Sequence, residues 1–333
     1  MRASLLLLLA SVFLSRLSQA QITGTIELPS DPMPPGFNSR EAAMAAILTK
    51  QVKLIEPPTV IPESVIEHIG ITYGEVDSKE LKLDLSLPAK AEHPRPGLIF
   101  IHGGSWSGGT RDVYKYYTTH FAQQGYVCAT VSYRLSGEAC FPAAIHDVKA
   151  AVRWMRGQAD SYGVDATRIG VVGGSAGGHL ALLLGYSPRV QDLEGESGSP
   201  EVSSEVQAVV NFYGVADLTT EQAKTSSAVK NFLCGKRYED DQTLYELASP
   251  ITHLSRSAPP TLTIHGSIDQ VVFVEQAERL SAKLSELKVP YATAILPGWP
   301  HALDAAEAPN DYCLKLMSAF LKTAFSIPGQ NQP

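Results

Sequence analysis

The stretch RIGVVGGSAGGHLALLLG, residues 168–185, changes its hydrophobic pattern around a single serine. RIGVV is short, apolar and β-branched, which indicates a buried strand, and HLALLL is typical of a buried helix. Four glycines surround Ser175 between them. A strand and a helix joined by so sharp a turn approach so closely that only residues without a side chain fit beside the serine. We therefore predict that the turn projects the Ser175 hydroxyl outward at the start of a helix; the alternative is a glycine-rich turn with a solvated serine.

Strand-like and helix-like stretches alternate along the rest of the chain. Residues 65–74 and 81–89 alternate like two paired antiparallel strands. Beyond them, short apolar strands alternate with helical stretches, and the strands read GLIFIHGG, YVCATVSYRL, RIGVVGG, VQAVVNFYG, TLTIHGS and YATAILPG. This order predicts one doubly wound α/β domain over residues 66–325, with a mostly parallel sheet and helices on both faces.

The ends of the chain read differently from this domain. Residues 21–65 are predicted to form a proline-rich lead-in with one helix, capped by Asn38 or Ser39, and residues 326–333 a C-terminal tail. Residues 1–20 carry Arg2, the apolar run LLLLLASVFL and then SQA, which is typical of a secretory signal peptide cut after Ala20. A retained anchor helix is the alternative, but the run is about half of the roughly 20 residues that a bilayer span needs. We expect a secreted or periplasmic protein without a membrane anchor.

The composition is that of an ordinary globular protein. With 333 residues, 44% of them hydrophobic and 18% charged, the chain can bury a large core. Its net charge is −7, and no basic cluster offsets the acidic residues. We therefore expect neither nucleic acid nor an anionic membrane surface among its partners. The composition leaves the oligomeric state open.

Four cysteines are present in the chain. Cys140 and Cys234 stand in loop-like stretches of a chain predicted to be exported, so a disulfide between them is predicted, although four cysteines allow three full pairings. Cys128 in a strand and Cys313 in a helix are expected to be buried thiols. No CxxC or Cys/His spacing indicates a metal site.

A serine acts as a nucleophile only with a base, an orienting acid and a site that stabilises the oxyanion. For a serine on a strand–turn–helix of this kind, the acid and then the histidine follow along the chain. His301 stands in GWPHALD, after the strand YATAILPG, at the carboxyl edge where catalytic groups of such sheets collect. We predict His301 as the base, because His265 ends a strand, where a structural role is expected, and His253 reads as a surface-loop residue.

The acid is expected one strand earlier. HGSIDQVV supplies Asp269 in the loop after the strand TLTIHGS; its alternative role is the N-cap of a helix near 272–287. Asp304 is too close in sequence to His301 to be favoured, and Asp147 precedes the serine inside a helical pattern. Asp269 is therefore the predicted acid.

The oxyanion site is predicted in HGGSW, residues 102–106, which follows the strand GLIFI. Its glycines let backbone N–H groups approach a ligand, so we assign the N–H groups of Gly104, Ser105 and Ala176 as oxyanion donors. The alternative is a plain β-turn after a strand. His102 is expected to hold this loop in place.

Aromatic side chains near these motifs are candidate substrate-binding residues. Trp106, Phe212, Tyr213 and Trp299 are predicted pocket walls, with core packing as the alternative for each. The polar segment 217–247 between two strands is predicted to form a small lid, or else a plain surface connection.

The motifs HGGSW, YRL, FPAAIHDVKAAVRW, GVDATRIGVVGGSAGGHLA, HGSIDQVV and GWPH occur in this order. Together they resemble the α/β-hydrolase carboxylesterases, in the branch with feruloyl-esterase-like and acetylxylan-esterase-like members, from about residue 66 to 325. The related hormone-sensitive-lipase group usually has HGGG at the first motif, where this chain has Ser105. The resemblance implies acyl transfer: Ser175 attacks an ester carbonyl, His301 takes its proton, Asp269 orients His301, and water releases the acyl-enzyme without a metal or cofactor.

The resemblance implies a secreted carboxylesterase whose substrate is a small-molecule or oligosaccharide ester, with acetylated or feruloylated carbohydrate first and unrelated short-chain esters second. An arylformamidase resembles the same fold but would act on a cytosolic metabolite, which conflicts with the signal peptide. A peptidase of the prolyl-oligopeptidase type needs a large extra domain, for which the sequence has no room. A binding protein built on an inactive hydrolase fold is the non-enzyme alternative, and the complete set of Ser, Asp and His counts against it. The polar lid predicts highest rates on acetyl to butyryl esters.

Overall fold

The computed structural model describes residues 21–90 and 93–326. The predicted signal peptide, residues 1–20, lies outside the described residues, as does the predicted tail beyond residue 326. In the described part of the chain, no helix combines the length and apolarity that a bilayer crossing requires.

One nine-stranded sheet organises the described residues, in the order β1-β9-β8-β7-β6-β4-β5-β3-β2. Neighbouring strands from β5 through β4, β6, β7 and β8 to β9 run parallel, whereas β2, β3 and β1 pair antiparallel at the two edges. The predicted α/β class with a mostly parallel sheet is therefore confirmed. The strands are β1 (Gln21–Gly24), β2 (Val65–Val76), β3 (Lys79–Pro88), β4 (Arg95–Ile101), β5 (Val127–Val131), β6 (Val164–Gly174), β7 (Ala208–Phe212), β8 (Thr261–Gly266) and β9 (Tyr291–Leu296).

Helices cover both faces of the sheet. They are α1 (Arg40–Leu48), α2 (Lys115–Gln123), α3 (Ala143–Gly157), α4 (Ala159–Tyr162), α5 (Ala176–Tyr186), α6 (Glu221–Thr225), α7 (Ser227–Phe232), α8 (Gln242–Leu247), α9 (Glu275–Leu287) and α10 (Glu307–Ala324). Helices α3, α5 and α9 contribute to one buried apolar cluster, and α2 and α10 to the other. Strand β4 contributes side chains to both clusters, because side chains alternate along a strand. Ile99 and Ile101 belong to the first cluster, and Leu98 and Phe100 belong to the second.

The lead-in adds an edge strand to the sheet, which the sequence does not predict. Residues 21–24 pair with β9, and Gln21 lies opposite Ile295. Four residues are too few to show a strand period, so the prediction of a lead-in with a helix alone is incomplete. Helix α1 is present, and Ser39, not Asn38, caps it by accepting a hydrogen bond from Ala42 N at 3.2 Å. It ends at Leu48, close to the left-handed turn at Lys50 (φ 58°).

Segment 217–247 contains the three short helices α6, α7 and α8. Cys140 and Cys234 form a disulfide with Cα atoms 5.4 Å apart, so the predicted pairing is confirmed. Beside it, Phe141 N donates to Phe232 O at 2.9 Å. Cys128 and Cys313 are free and buried, as predicted. The disulfide thus ties segment 217–247 to the loop that precedes α3.

Replacing both bridged cysteines by alanine is expected to lower the free energy of unfolding by about 3–5 kcal/mol, because the bridge restricts a long loop in the unfolded chain. The two cysteines are 94 residues apart in sequence. The measurement is urea unfolding of the oxidised wild type and of the Cys140→Ala/Cys234→Ala variant. Reductant should destabilise the wild type to a similar extent and leave the variant unchanged. Free thiols at both positions in a non-reducing peptide map would contradict the bridge.

Candidate active site

Ser175 occupies the turn between β6 and α5. Its backbone has φ 57° and ψ −120°, a combination that residues with a side chain rarely adopt and that costs about 1–3 kcal/mol. Ser175 N donates to Phe212 O at 2.9 Å, which anchors the turn to the neighbouring strand β7. A Cβ atom at Gly177 would lie 2.0 Å from Ile101 O, so only glycine allows α5 to pack this closely on β4. The strain and the glycine hold the serine side chain at the carboxyl edge of the sheet.

The three residues predicted as nucleophile, base and acid lie in contact. His301 Nε2 is 2.9 Å from Ser175 Oγ, and His301 Nδ1 is 2.6 Å from Asp269 Oδ2. For both bonds to form, Nδ1 donates to the carboxylate and Nε2 accepts from the serine hydroxyl. They are brought together from the ends of β6, β8 and β9, although the serine and histidine are 126 residues apart.

Asp269 accepts three hydrogen bonds, and a second histidine lies close to it. Oδ1 accepts from Val271 N at 2.8 Å and from Val272 N at 3.0 Å, and His265 Nε2 lies 3.3 Å from Oδ2, beside the bond from His301. Burial alone would raise the pKa of Asp269, but the two neighbouring histidines outweigh it and hold the pKa well below its usual range. The carboxylate is therefore ionised when it faces the imidazole. Its alternative role as a helix cap is not observed, since α9 begins only at Glu275.

His265 also fits the structural role predicted for it. It is fully buried, and its Nε2 donates to Val272 O at 2.8 Å. His253 lies away from the site, where its Nε2 donates to Leu247 O. Neither histidine is placed to take a proton from Ser175.

The loop after β4 presents backbone N–H groups beside the serine. Gly104 (φ 114°) and Ser105 (φ 53°) have left-handed backbone conformations, and their N–H groups make no hydrogen bond within residues 21–90 and 93–326. Ala176 is the first residue of α5, where helical N–H groups have no intrahelical acceptor. Ser105 and Ala176 line one pocket with Ser175. Gly104 lines the neighbouring pocket with Ser175, so the three predicted oxyanion donors all lie beside Ser175, and their role stays a prediction.

His102 holds this loop, as predicted from the sequence. Its Nδ1 donates to Gly103 O at 2.7 Å, and its ring stacks on Tyr133 with centroids 4.4 Å apart. Tyr133 in turn donates its hydroxyl to His102 O at 3.0 Å. Burial lowers the pKa of His102, so the ring is neutral and serves as a structural support.

Two lobes of unequal size meet at Ser175. The large lobe, ≈ 560 Å³, contains His301, Tyr114, Tyr117, Tyr213 and Asp304, with apolar side chains at its rim. The small lobe, ≈ 60 Å³, lies on the side of Ala176. Besides Ser105, Ser175 and Ala176, its lining residues are Trp106, Val215, Val271, Val272 and, from segment 217–247, Gln222, Ala223, Ser226, Ala228 and Val229.

Segment 217–247 therefore lies over the small lobe and leaves the large lobe uncovered. Gln222 Nε2 donates to Val271 O at 2.7 Å and joins the segment to the loop that carries Asp269. The structure thus places the predicted lid at the site. Its movement stays a prediction.

Two of the four predicted pocket aromatics line the lobes. Trp106 lies in the small lobe, where its ring stacks on Phe232 and its Nε1 donates to His179 Nδ1 at 3.2 Å. Burial lowers the pKa of His179 to about 4, so this ring is neutral and can accept. Tyr213 lies in the large lobe, with its ring centroid 4.5 Å from that of His301.

The other two predicted pocket aromatics are core residues, which corrects the sequence interpretation. Phe212 is fully buried in the apolar cluster that α2 and α10 cover, where its ring packs edge-on against Tyr117, and it lines neither lobe. Trp299 is covered by the lead-in: its Nε1 donates to Pro34 O at 3.2 Å, and its ring packs edge-on against Phe37.

The sequence interpretation missed three polar residues of the large lobe. Tyr114 directly precedes α2, Tyr117 lies in its first turn, and Asp304 follows His301 by three residues. The YKYY run at 114–117 is the only local signal, and it does not show which of its rings faces the site. From the sequence, Asp304 is only a less favoured candidate for the triad acid.

The family model described as BD-FAE matches residues 83–284. The chain is 38% identical over 224 residues to Esterase LipC of Mycobacterium tuberculosis (strain ATCC 25618 / H37Rv), a match that covers 64% of this chain and 54% of LipC. The chain spans about half the length of the curated relatives it matches.

Solved structures share the fold over most of the chain. A truncated carbohydrate esterase from gut microbiota superposes with a TM-score of 0.71 at 25% identity and covers 82% of this chain and 100% of that one. A thermophilic esterase from Thermogutta terrifontis superposes with a TM-score of 0.68 at 26% identity, over 84% of this chain and 99% of that one. The chain belongs to the BD-FAE family, whose members are esterases of the α/β-hydrolase fold.

Proposed function

We propose that this chain is a serine carboxylesterase that hydrolyses short-chain acyl esters of carbohydrates through an acyl-enzyme. The observation that carries the proposal is that two unequal lobes meet at a serine that contacts a histidine, and that this histidine in turn contacts a buried carboxylate. The relatives named above are esterases, and one structural neighbour is a carbohydrate esterase.

The contacts support a two-step acyl transfer. Ser175 Oγ attacks the ester carbonyl carbon while its proton passes to His301 Nε2, and the carbonyl electrons form an oxyanion opposite the N–H groups of Ser105 and Ala176. The imidazolium that forms is stabilised by Asp269. His301 then gives the proton to the departing alkoxide, which leaves the acyl group on the serine. Water then gives a proton to His301 and attacks the acyl-enzyme, the carboxylic acid leaves, and His301 returns the proton to Ser175 Oγ.

The proton transfer indicates which lobe holds which part of the ester. The departing alcohol receives its proton from His301, so it occupies the lobe that contains this residue, the large one. The acyl group then occupies the small lobe, beside Trp106 and Val229. At ≈ 60 Å³, this lobe is smaller than the roughly 150 Å³ cavity that accommodates benzene in an engineered protein. A short aliphatic acyl group fits it, and an aromatic acid does not.

We expect kcat/KM for p-nitrophenyl esters to be highest at acetyl to butyryl and at least tenfold lower at decanoyl. Each methylene that the small lobe buries contributes about 0.8 kcal/mol, about fourfold in kcat/KM, and a chain that finds no further room gains nothing. Acetylated xylo-oligosaccharides are expected to be deacetylated, and methyl ferulate to be a weaker substrate. The measurement is a rate series with acyl chains of two to sixteen carbons.

The variant Val229→Ala tests whether the small lobe sets this limit. It enlarges the small lobe, so the optimum should move to longer acyl chains. Val113→Ala, at the exposed rim of the large lobe, is the matched control and should leave the optimum unchanged. A rate that keeps rising through palmitoyl esters, or an optimum that moves in the control alone, would show that the acyl group lies elsewhere.

Export is part of the same proposal. The disulfide between Cys140 and Cys234 supports an oxidising compartment, since cytosolic proteins rarely keep such bonds. A polymeric carbohydrate ester would have to be met outside the cytosol. Secretion or a periplasmic location therefore agrees with the proposed substrate.

A further inference from the structure

The large lobe has a polar floor that the triad chemistry does not use. We define this polar floor as Tyr114, Tyr117, Tyr213 and Asp304, all of which line the lobe beside Ser175. All four residues are at most 6% exposed. A group of hydroxyls around a carboxylate is unusual in a pocket whose rim is apolar, and it calls for a role in binding.

The carboxylate of Asp304 orients two of the tyrosines. Tyr117 donates its hydroxyl to Asp304 Oδ2 at 3.1 Å, and Tyr213 donates to Oδ1. Behind them, Asn310 Nδ2 donates to Tyr117 Oη at 2.6 Å and to Asp304 O at 2.8 Å. In the part of the chain that the structure describes, Asp304 forms no salt bridge with a lysine or arginine. The hydroxyl hydrogens of both tyrosines therefore point to Asp304. Tyr117 Oη already accepts from Asn310, so Tyr213 Oη is the oxygen that can accept a hydrogen bond from a ligand.

Tyr114 differs from the other two tyrosines. Its side chain is only 4% exposed, yet its hydroxyl makes no hydrogen bond with any residue in 21–90 or 93–326. A Cβ atom built on Gly174 would lie 2.7 Å from Tyr114 Oη and 3.2 Å from Tyr213 Oη, so both hydroxyls converge on the residue before Ser175. Here a free donor, Tyr114, stands next to an acceptor, Tyr213 Oη.

We propose that the polar floor binds a hydroxyl group of the departing alcohol, with Tyr114 as the residue that selects for it. A hydroxyl both donates and accepts, so it matches the pair formed by Tyr114 and Tyr213. An alcohol without a second hydroxyl would leave the Tyr114 hydroxyl buried and without a partner, and sites built in this way discriminate strongly against such analogues. The inference rests on the proposed function in one respect, that the alcohol occupies the large lobe.

The test compares glycerol monoacetate with propyl acetate. The two esters share the acyl group and the number of carbons and differ by two hydroxyl groups. We expect the wild type to prefer glycerol monoacetate by about tenfold or more in kcat/KM. Tyr114→Phe should reduce this preference at least fivefold by slowing glycerol monoacetate alone. Because Tyr114 has no hydrogen-bond partner among the described residues, phenylalanine should fold normally.

Tyr116→Phe is the matched control. Tyr116 is two residues from Tyr114 along the chain but does not line the large lobe, so both rates should stay unchanged. An equal fall on both esters in Tyr114→Phe would assign this residue to the geometry of the catalytic groups and overturn the proposal. An unchanged preference, or a wild type that prefers propyl acetate, would overturn it as well.

A binding measurement separates this inference from the proposed function. D-xylose binding, followed by ligand-observed NMR, needs no turnover and should be at least fivefold weaker in Tyr114→Phe than in the wild type. Equal binding by the two proteins contradicts the polar-floor proposal. Failure of the wild type to hydrolyse either acetate contradicts the proposed esterase function, whatever the binding result.

Discussion

Replacing Ser175 by alanine is expected to lower kcat for p-nitrophenyl acetate by about 10⁴-fold or more while the chain stays folded. Alanine keeps the Cβ atom and removes only the hydroxyl that contacts His301 Nε2. Without it no acyl-enzyme forms, and the oxyanion donors alone supply what catalysis remains. His301→Ala should cause a loss of the same order, because the serine then lacks its base.

The combined variant sharpens this prediction. Residues of a triad act as one unit, so Ser175→Ala/His301→Ala should be about as slow as either single variant. Ser257→Ala, at an exposed serine that lines neither lobe, is the control and should keep wild-type activity. The measurements are single-turnover kinetics with circular dichroism and urea unfolding of each variant. A well-folded Ser175→Ala protein that kept more than a tenth of the activity would show that another group is the nucleophile.

Replacing Asp269 by asparagine is expected to lower kcat by about 10⁴-fold, the size of the loss known for the same change in a serine protease. Asp269 Oδ2 accepts the Nδ1 hydrogen of His301 at 2.6 Å. An amide that turns its NH₂ group toward this nitrogen favours the other tautomer, in which Nε2 carries the hydrogen and cannot accept the serine proton. KM should change much less than kcat.

The lowered pKa of Asp269 adds a second readout. Because the folded-state pKa lies below that of the unfolded chain, the ionised carboxylate stabilises the folded protein above about pH 4, and this contribution is lost as the pH falls further. The stability difference between wild type and Asp269→Asn should therefore be larger at pH 7 than at pH 3. Asp160→Asn, at an exposed aspartate, is the control for both readouts. If the activity of Asp269→Asn stayed within tenfold of wild type, another acid would have to orient His301.

The sequence predicts the parts of this fold that depend on local pattern. The strand and helix on either side of Ser175 can be predicted because four glycines mark a turn that only a close strand–helix contact requires. His301 and Asp269 can be predicted because the carboxyl ends of parallel strands meet at one edge, so loops after β8 and β9 lie beside the end of β6. Their catalytic roles stay predictions that the variants above test.

The pocket walls were harder to predict. Phe212 and Tyr213 are adjacent in sequence, yet one is a core residue and the other lines the large lobe. Trp299 is next but one to His301 and still faces away from the site, because residues 34–37 of the lead-in cover it. Composition identifies these side chains as candidates for a pocket, but it carries no information on which way each one turns.

The sequence by itself determined the α/β class, the strand–turn–helix around Ser175 and the order of the predicted serine, acid and histidine, and it favoured the pairing of Cys140 with Cys234. Each depends on a short-range pattern or on strand order. Tertiary structure alone decided the edge strand β1, the two lobes and the polar floor. The contact between Tyr117 and Asp304 joins residues 187 apart, and that between Trp299 and Pro34 residues 265 apart. Contacts of this range depend on how each helix is rotated against the sheet, and side-chain packing across the whole core sets that rotation.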